Sequence, residues 1–169
     1  MTKSKPKMQF ATDREICELL GKADIFFAGL EDLIEFYIWY FATPGDQKMG
    51  QAMTAEMQFH SILQTVIAVF KIKFPHDEYG LKKLCSLVRR ADTVARERNV
   101  YIHSSYMPGS TVGKLTQMKR STRDKTGLKN DFKDITSDVL EDFIEKIDVL
   151  AADLQEFFNT VTIPNYKRK

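Results

Sequence analysis

The sequence lacks the residue patterns that define several classes of protein. Only two cysteines occur among its 169 residues, Cys17 and Cys85, and they are far apart and outside any Cys-x-x-Cys arrangement. They therefore predict neither a disulfide framework nor a zinc site, and a reducing cytoplasm is the expected location. The sequence contains no internal repeat, so a solenoid is not expected.

Long uninterrupted apolar runs are absent as well. The basic residues 1–10 are followed by charged residues rather than by the apolar stretch of a signal peptide. The most apolar region, residues 25–41, contains three carboxylates, which would be costly at bilayer depth. We expect no export segment and no association with a membrane.

The charge balance conceals a strong asymmetry. The formal net charge is only +2, yet residues 105–135 carry seven Lys or Arg against three Asp. Residues 136–163 carry seven acids against a single Lys146. The protein is not basic overall, but one segment of it is.

Apolar residues at steps of three and four predict four long helices. A Thr12-to-Glu15 capping box starts the first near residue 12, and Thr43-Pro44-Gly45 ends it. The second runs as one long helix from an Asp46 cap to Phe74-Pro75. The third starts around Asp77 and continues through Ile102. The last is capped by Thr136 or Ser137 and ended by Pro164.

These helices, with mostly short early connections, predict an all-α fold, an up-and-down four-helix bundle. Residues 104–135 lose the helical period and gather glycine and proline, which predicts a long basic loop. That loop either lacks regular structure or contains a short hairpin of residues 114–120 and 128–132. We expect one domain over 12–163, a disordered basic tail at 1–11 and a mobile tail at 164–169.

Three polar residues near the end of the third helix are candidates for chemistry. Arg98 falls on the middle of the apolar stripe, between Ala95 and Ile102, where an arginine is unexpected. Asn99 and His103 follow one turn apart on the flank of that stripe.

The three side chains suit cleavage of an RNA phosphodiester without a metal or other cofactor. A neutral His103 would take the proton of a ribose 2′-hydroxyl, Arg98 would stabilise the phosphate charge, and Asn99 would orient the imidazole. On spacing alone, a purely structural role for these residues is the favoured interpretation. Arg98 then pairs with an acid of the last helix, such as Glu145 or Asp148, and His103 caps the carbonyls at the helix end.

The order Arg98, Asn99 and His103, late in a helix and followed by a loop and a final amphipathic helix, resembles the HEPN superfamily (higher eukaryotes and prokaryotes nucleotide-binding domains). Residues 53–158 resemble an uncharacterised bacterial branch of it. That branch often continues after the histidine with Gly-x-Trp, where this chain has Ser104-Ser105-Tyr106.

The resemblance implies two kinds of function. Many HEPN proteins are metal-independent endoribonucleases that act as toxins or in defence, with the cleft formed where two motifs meet across a homodimer. Others have lost catalysis and serve as adaptors or as RNA- or nucleotide-binding modules. Whether this chain is an enzyme stays open at this point; RNA, a second copy of the chain, and an antitoxin or other protein are the implied partners.

The basic loop supplies candidate RNA-binding residues, namely Lys114, Lys119, Arg120 and Arg123. The alternative is a solvated loop, because aromatic residues for base stacking are not interspersed with the charges. The stretch 109–115 has a superficial likeness to a phosphate-binding loop, but its glycines are too close together and Leu115 replaces the expected Ser or Thr.

The remaining histidines and the first helix carry weaker signals. His60 and His76 have no neighbours at metal-ligand spacing, so we expect ordinary structural roles for both. The apolar face of the first helix is too wide for a small bundle to bury completely, and we expect it to serve partly as core and partly as a dimer face.

Overall fold

The computed structural model describes residues 14–109, 114–124 and 127–162, with side chains described except at residues 120–129. In chain order its elements are α1 (Arg14–Ala42), α2 (Gln47–Thr54), α3 (Phe59–Lys73), α4 (Glu78–Ile102), β1 (Ser105–Pro108), β2 (Leu115–Asp124), β3 (Gly127–Ile135) and α5 (Ser137–Thr162). The predicted tails and Thr12 of the predicted capping box lie outside the described residues.

The molecule is mainly helical, as the sequence predicts, but the all-α prediction is wrong. Strands β1, β2 and β3 form an antiparallel sheet in that order, where the sequence predicts a long loop. The hairpin alternative is confirmed and is longer than expected, since β2 pairs with β3 from Leu115 opposite Ile135 as far as Asp124 opposite Gly127. β1 pairs with the other side of β2.

The buried residues of the hairpin are concentrated at its base, where β2 begins and β3 ends. This explains why the strands are hard to predict. Leu115, Gln117 and Ile135 are buried there. Farther along the hairpin, Lys119, Asp131 and Phe132 are exposed. The alternation of apolar and polar residues is therefore too short to indicate a half-buried strand.

The predicted second helix is two helices rather than one. Asp46 caps α2 as predicted, its Oδ1 accepting from the backbone N–H of Met49 at 3.0 Å. At the last residue of α2, the buried hydroxyl of Thr54 accepts from Trp39 Nε1 at 2.8 Å and donates to Glu35 at 3.0 Å. These bonds attach α2 to the side of α1, and the chain then turns before α3.

Contacts along α1 show that α2 and α3 run in opposite directions. Gly50 of α2 lies against Trp39, and α3 begins with Phe59 beside Phe27, at 4.8 Å between ring centroids. Directly after α3, Phe74 reaches Phe41 at 5.4 Å. α2 is therefore antiparallel to α1, whereas α3 is parallel to it.

Helices α4 and α5 complete the bundle. Asp77 caps α4, with its Oδ1 accepting from the backbone N–H of Gly80 at 2.9 Å. Tyr101 near the end of α4 contacts Phe143 near the start of α5, at 4.9 Å between centroids. Tyr37 of α1 stacks on Phe158 near the end of α5 at 3.8 Å. Successive helices therefore alternate in direction, and α2 is the extra, short member of the predicted bundle.

The predicted helix seams form most of the core. Fully buried side chains in it include Phe70, Phe143, Phe157, Phe158, Leu30, Ile34 and Leu84. The helical period places Ala52 and Met53 on the apolar face of the predicted second helix, but both are exposed on α2, so that part of the prediction is wrong. Ile102, at the end of α4, is also 36% exposed.

None of the helices in the described ranges is long and apolar enough to cross a membrane.

Candidate functional site

The last turns of α4 place the three motif residues around the end of the helix. Arg98 and Asn99 lie in the final turns, and His103 is the first residue after the helix, with its backbone N–H donating to the Asn99 carbonyl at 3.1 Å. Arg98 is half-buried, while Asn99 and His103 are exposed. Two of the three side chains are therefore open to a ligand.

Arg98 forms an ion pair with an acid that the sequence does not single out. Its Nε donates to Asp24 Oδ1 on α1 at 3.0 Å, and its Nη2 donates to the same oxygen. The guanidinium also lies over the ring of Phe27, at 5.4 Å from the centroid. The Arg98 side chain is 25% exposed and that of Asp24 is 47% exposed. The pair is partly buried and joins α1 to α4.

The prediction that an acid of the last helix pairs with Arg98 is wrong, and the neighbouring residue explains why. Glu97 faces α5, where its carboxylate accepts from Lys146 Nζ at 3.1 Å. Because consecutive residues of a helix with about 3.6 residues per turn point in different directions, Arg98 must point away from α5. It points toward α1, while Glu145 and Asp148 remain exposed on α5.

Asn99 contacts the guanidinium rather than the imidazole. Its Oδ1 accepts from Arg98 Nη1 at 3.3 Å. Within the described residues, the His103 side chain has no hydrogen bond or ion pair. The exposed imidazole is therefore available to an outside group, on the same helix face as Asn99 one turn earlier.

Side chains other than the His103 imidazole bond the last carbonyls of α4. The carbonyl of Val100 accepts from Ser104 Oγ at 2.6 Å and from Gln117 Nε2 at 3.0 Å. The carbonyl of Tyr101 accepts from Tyr106 Oη at 2.7 Å. Ser104 and two residues of the sheet thus bond the carbonyls of Val100 and Tyr101, and His103 caps the helix through its backbone N–H to Asn99 rather than through its imidazole.

Carboxylates of α1 place negative charge on one side of Arg98. Burial raises the pKa of Glu31, and the nearby charges of Glu35 and Asp32 raise it further, against the opposing effect of Arg98. The charges of Asp24 and Glu31 therefore oppose that of the guanidinium on the α1 side. An anionic ligand would therefore approach Arg98 from the Asn99 side, away from α1.

The aromatic residues at the helix end are held in their neutral form. Burial, followed by the charge of Glu97 and its hydrogen bond with the phenol, raises the pKa of Tyr101 to about 12. Burial also raises the pKa of Tyr106. Neither phenol would act as a base at neutral pH, so the exposed imidazole of His103 is the candidate base of this helix end.

The predicted RNA-binding residues lie on or next to the hairpin. Lys114 immediately precedes β2 and Lys119 lies within it, both exposed. Arg120 and Arg123 are also on β2, but their side chains are outside the described set. Since Gln117 anchors β2 to α4, the start of β2 lies beside the end of α4, and Arg120 and Arg123 lie farther along the strand. Residues 110–113 of the candidate phosphate loop are not described.

A cavity lies elsewhere, in a groove between α4 and α5. It measures about 740 Å³, and Val94, Val149 and Leu150 are among its apolar lining residues. Two of its lining residues, Arg90 and Lys146, form ion pairs that bridge the helices. Arg98, Asn99 and His103 do not line this groove. The groove itself could not be predicted from the sequence.

The other histidines show no sign of a metal site. His60 is exposed with its Nδ1 3.7 Å from Asp92 Oδ1, and His76 is exposed. No group of three or more potential metal ligands occurs among the described residues.

Comparison of the chain with protein-family models, with curated proteins and with solved structures found no match.

Proposed function

We propose that this protein is a metal-independent endoribonuclease of the HEPN type, with Arg98, Asn99 and His103 as its reacting site. The observation that carries the proposal is the end of α4, where a half-buried guanidinium adjoins two exposed polar side chains. The helix carbonyls there accept from Ser104, Gln117 and Tyr106, and the imidazole of His103 has no partner among the described residues.

The proposed reaction is transfer of the phosphoryl group to the neighbouring ribose hydroxyl. His103 removes the 2′-hydroxyl proton as a bond forms between that oxygen and phosphorus. The bond from phosphorus to the 5′-oxygen breaks, and the leaving oxygen receives a proton from water, giving a 2′,3′-cyclic phosphate and a 5′-hydroxyl. Arg98 stabilises the charge on the non-bridging oxygens in the transition state.

The basic hairpin would hold the RNA. Lys114, Lys119, Arg120 and Arg123 follow the motif, and β2 begins beside the end of α4. Cations in such a segment attract the phosphate backbone without reading sequence. In this proposal the enzyme acts in the cytoplasm as a toxin or defence effector, with an antitoxin or other protein as a partner.

We also propose a two-fold homodimer with the two copies of residues 98–103 near the axis. Large apolar side chains are exposed along one face of α1, where Ile25, Phe36 and Tyr40 are 72%, 46% and 50% exposed. Such a face favours association with another protein surface. Light scattering at tens of micromolar should give twice the chain mass, and a monomer mass would contradict the dimer.

The Asp24 ion pair favours a second candidate function, that of a non-catalytic helical adaptor. In that case Arg98 serves only to join α1 to α4, and the protein binds a partner or RNA without turnover. This candidate predicts that the wild-type protein does not cleave RNA, and that substitution of Arg98 changes only stability.

The test is cleavage of a mixed RNA pool in EDTA by the purified protein and by its Arg98→Ala variant. Arg90→Ala is the matched control, because Arg90 is an ion-paired arginine of the same helix with Asp153 as its partner. The ribonuclease proposal requires cleavage by the wild type and by the Arg90 variant, with little by the Arg98 variant. If the wild type binds RNA but leaves it intact, the adaptor or binding module replaces the proposal.

A further inference from the structure

Asp24 determines which edge of the Arg98 guanidinium is left for a ligand. A guanidinium presents a side edge, made by Nε and one terminal nitrogen, and an end edge, made by its two terminal nitrogens. Asp24 Oδ1 accepts from Nε and from Nη2, so the carboxylate lies on the side edge. The end edge, which includes Nη1, makes no bond to Asp24.

That remaining edge is directed toward the exposed face of α4. Nη1 donates to Asn99 Oδ1 at 3.3 Å, and Asn99 lies one helical turn before His103. A phosphate that met the end edge would therefore approach from the side on which the imidazole is exposed. The side edge alone would direct it toward α1, which already carries negative charge at Asp24 and Glu31.

The surroundings restrict rotation of the guanidinium away from this orientation. The ring of Phe27 lies beneath it at 5.4 Å, and only a quarter of the side chain is exposed. Asp24 is anchored in the middle of a long helix and projects from α1 onto Arg98. A long arginine side chain that is fixed at one edge loses less conformational freedom when a ligand binds the other.

We propose that Asp24 is a positioning residue, which holds the Arg98 guanidinium by its side edge so that the end edge meets the scissile phosphate. This role rests on the ribonuclease function proposed above. Asp24 itself touches neither the RNA nor the reacting atoms. Its effect is on the orientation of Arg98, and it should therefore appear in the rate of the bound complex more than in RNA affinity.

The opposite role for Asp24 would be to compete with the phosphate for Arg98. A carboxylate bound to a guanidinium competes with a phosphate for the same donors. If Asp24 had to leave before RNA could bind, its removal would tighten binding or raise the rate. Substitution of Asp24 should therefore lower the cleavage rate if Asp24 positions Arg98, and raise the rate or tighten RNA binding if Asp24 competes with the phosphate.

The experiment measures single-turnover cleavage in EDTA as a function of protein concentration for wild type, Asp24→Ala and Asp24→Asn. Asp153→Asn is the control, because it removes the partner of another α4 arginine, Arg90, across a different helix interface. We expect Asp24→Ala to lower the maximal rate about 10- to 100-fold, with a smaller change in half-saturation. Asp24→Asn keeps an acceptor oxygen and should recover part of the rate, and the control should cleave like wild type.

A spectroscopic measurement separates positioning from damage to the fold. The Arg98 Nε–H resonance, assigned by its loss in Arg98→Lys, should be protected from exchange with water in wild type and exposed to it in Asp24→Ala. The amide spectrum of the helices should remain unchanged in both Asp24 variants.

Each result decides between the claims. Normal cleavage by wild type and by Asp24→Ala overturns the role of Asp24 and leaves the proposed function standing, as does a faster or tighter-binding variant. An Arg98 Nε–H that exchanges freely in the wild type also overturns the positioning role. Absence of cleavage by the wild type overturns the proposed function, and the role of Asp24 with it.

Discussion

Asp24 on α1 and Arg98 on α4 are joined through one carboxylate oxygen, Oδ1, which accepts from both Nε and Nη2. The bond connects residues 74 positions apart in the chain, so it fastens two helices that meet only through tertiary packing. Because the pair is partly buried, its contribution to stability should lie between those of an exposed and a buried ion pair. Exposed ion pairs contribute little to stability, while removal of one partner of a buried pair is costly.

We expect a double-mutant cycle of Asp24→Ala and Arg98→Ala to give a coupling free energy of about 1 kcal/mol in urea unfolding. The exposed pair of Arg14 and Glu18, within α1, is the control and should couple by only about 0.3 kcal/mol. Equal coupling in the two cycles would mean that burial adds nothing to the Asp24 pair.

Gly50 is required by the close approach of α2 to α1. A Cβ at Gly50 would lie 2.5 Å from Trp39 Cβ and 2.8 Å from Thr43 Oγ1. Gly50→Ala should therefore destabilise the protein by about 1–3 kcal/mol through overpacking, despite the better helix propensity of alanine. Gly29→Ala is the control, since nothing lies within 4 Å of a Cβ there, and it should stabilise α1 slightly. Thermal unfolding of both variants checks the contrast.

Helix positions could be predicted from the sequence because their signals are local. The seam of α5, from Phe143 through Phe157, follows the helical period and is buried as expected. The break between α2 and α3 could not be predicted from the sequence, because no glycine or proline marks it. It depends instead on the hydroxyl of Thr54 binding Trp39 and Glu35, which are distant in sequence.

The candidate site was predictable in part for the same reason. The spacing of Arg98, Asn99 and His103 within one helix places them near one another without knowledge of the fold. The partner of Arg98 depends on which helix lies beside it, and the α1 spacing gives no sign that Asp24 rather than another acid is opposite. The anchoring of Gln117 to α4 depends likewise on strand pairing, which the sequence shows only weakly.

Gln117 anchors the sheet to the helical bundle from a buried position. Its Nε2 donates to the Val100 carbonyl at 3.0 Å and to Tyr106 Oη at 3.3 Å. Gln117→Leu should cost about 1 kcal/mol, because Val100 keeps its bond from Ser104. Hydrogen exchange should accelerate in β1 and β2 and remain unchanged in α3. Thr116→Val, on the same strand, loses only an exposed hydrogen bond to Asp134 and should change stability by less than about 0.5 kcal/mol.

Glu31 should make stability depend on pH in a defined direction. Burial, followed by the charge of Glu35, raises its pKa above the ordinary 4.5, so the folded protein holds this proton more tightly than the unfolded chain. Stability is then lost as pH rises from 4.5 through the folded pKa, and this loss persists at neutral pH. Glu31→Gln removes it, so the variant should be the more stable protein at pH 7.

The comparison at low pH tests the cause. Below the ordinary pKa both states of wild type carry a protonated Glu31, and the advantage of Glu31→Gln should disappear there. Urea unfolding at several pH values between about 3 and 7 measures the difference. A stabilisation that stays the same across this range would show that the substitution acts through packing rather than through ionisation.

His103→Ala and Arg98→Ala should each abolish most RNA cleavage while leaving the helical fold nearly intact. The imidazole moves a proton and the guanidinium stabilises phosphate charge, so neither can replace the other. Loss of a general base or of a charge-stabilising donor typically lowers the rate by about 100- to 10,000-fold. Asn99→Ala should be milder, and Arg98→Lys should recover little because a lysine lacks the planar donor edges.

Single-turnover cleavage in EDTA, with circular dichroism on the same samples, measures these effects. DNA of the same sequence should remain intact, because it lacks the 2′-hydroxyl that attacks phosphorus. His103 is exposed and its side chain bonds to no described residue, so its removal should not change stability by more than about 0.5 kcal/mol. Arg98→Ala loses the Asp24 pair as well and should unfold at lower urea. If His103→Ala cleaves RNA at the wild-type rate, the imidazole is not the base and the adaptor function is the better account of this helix end.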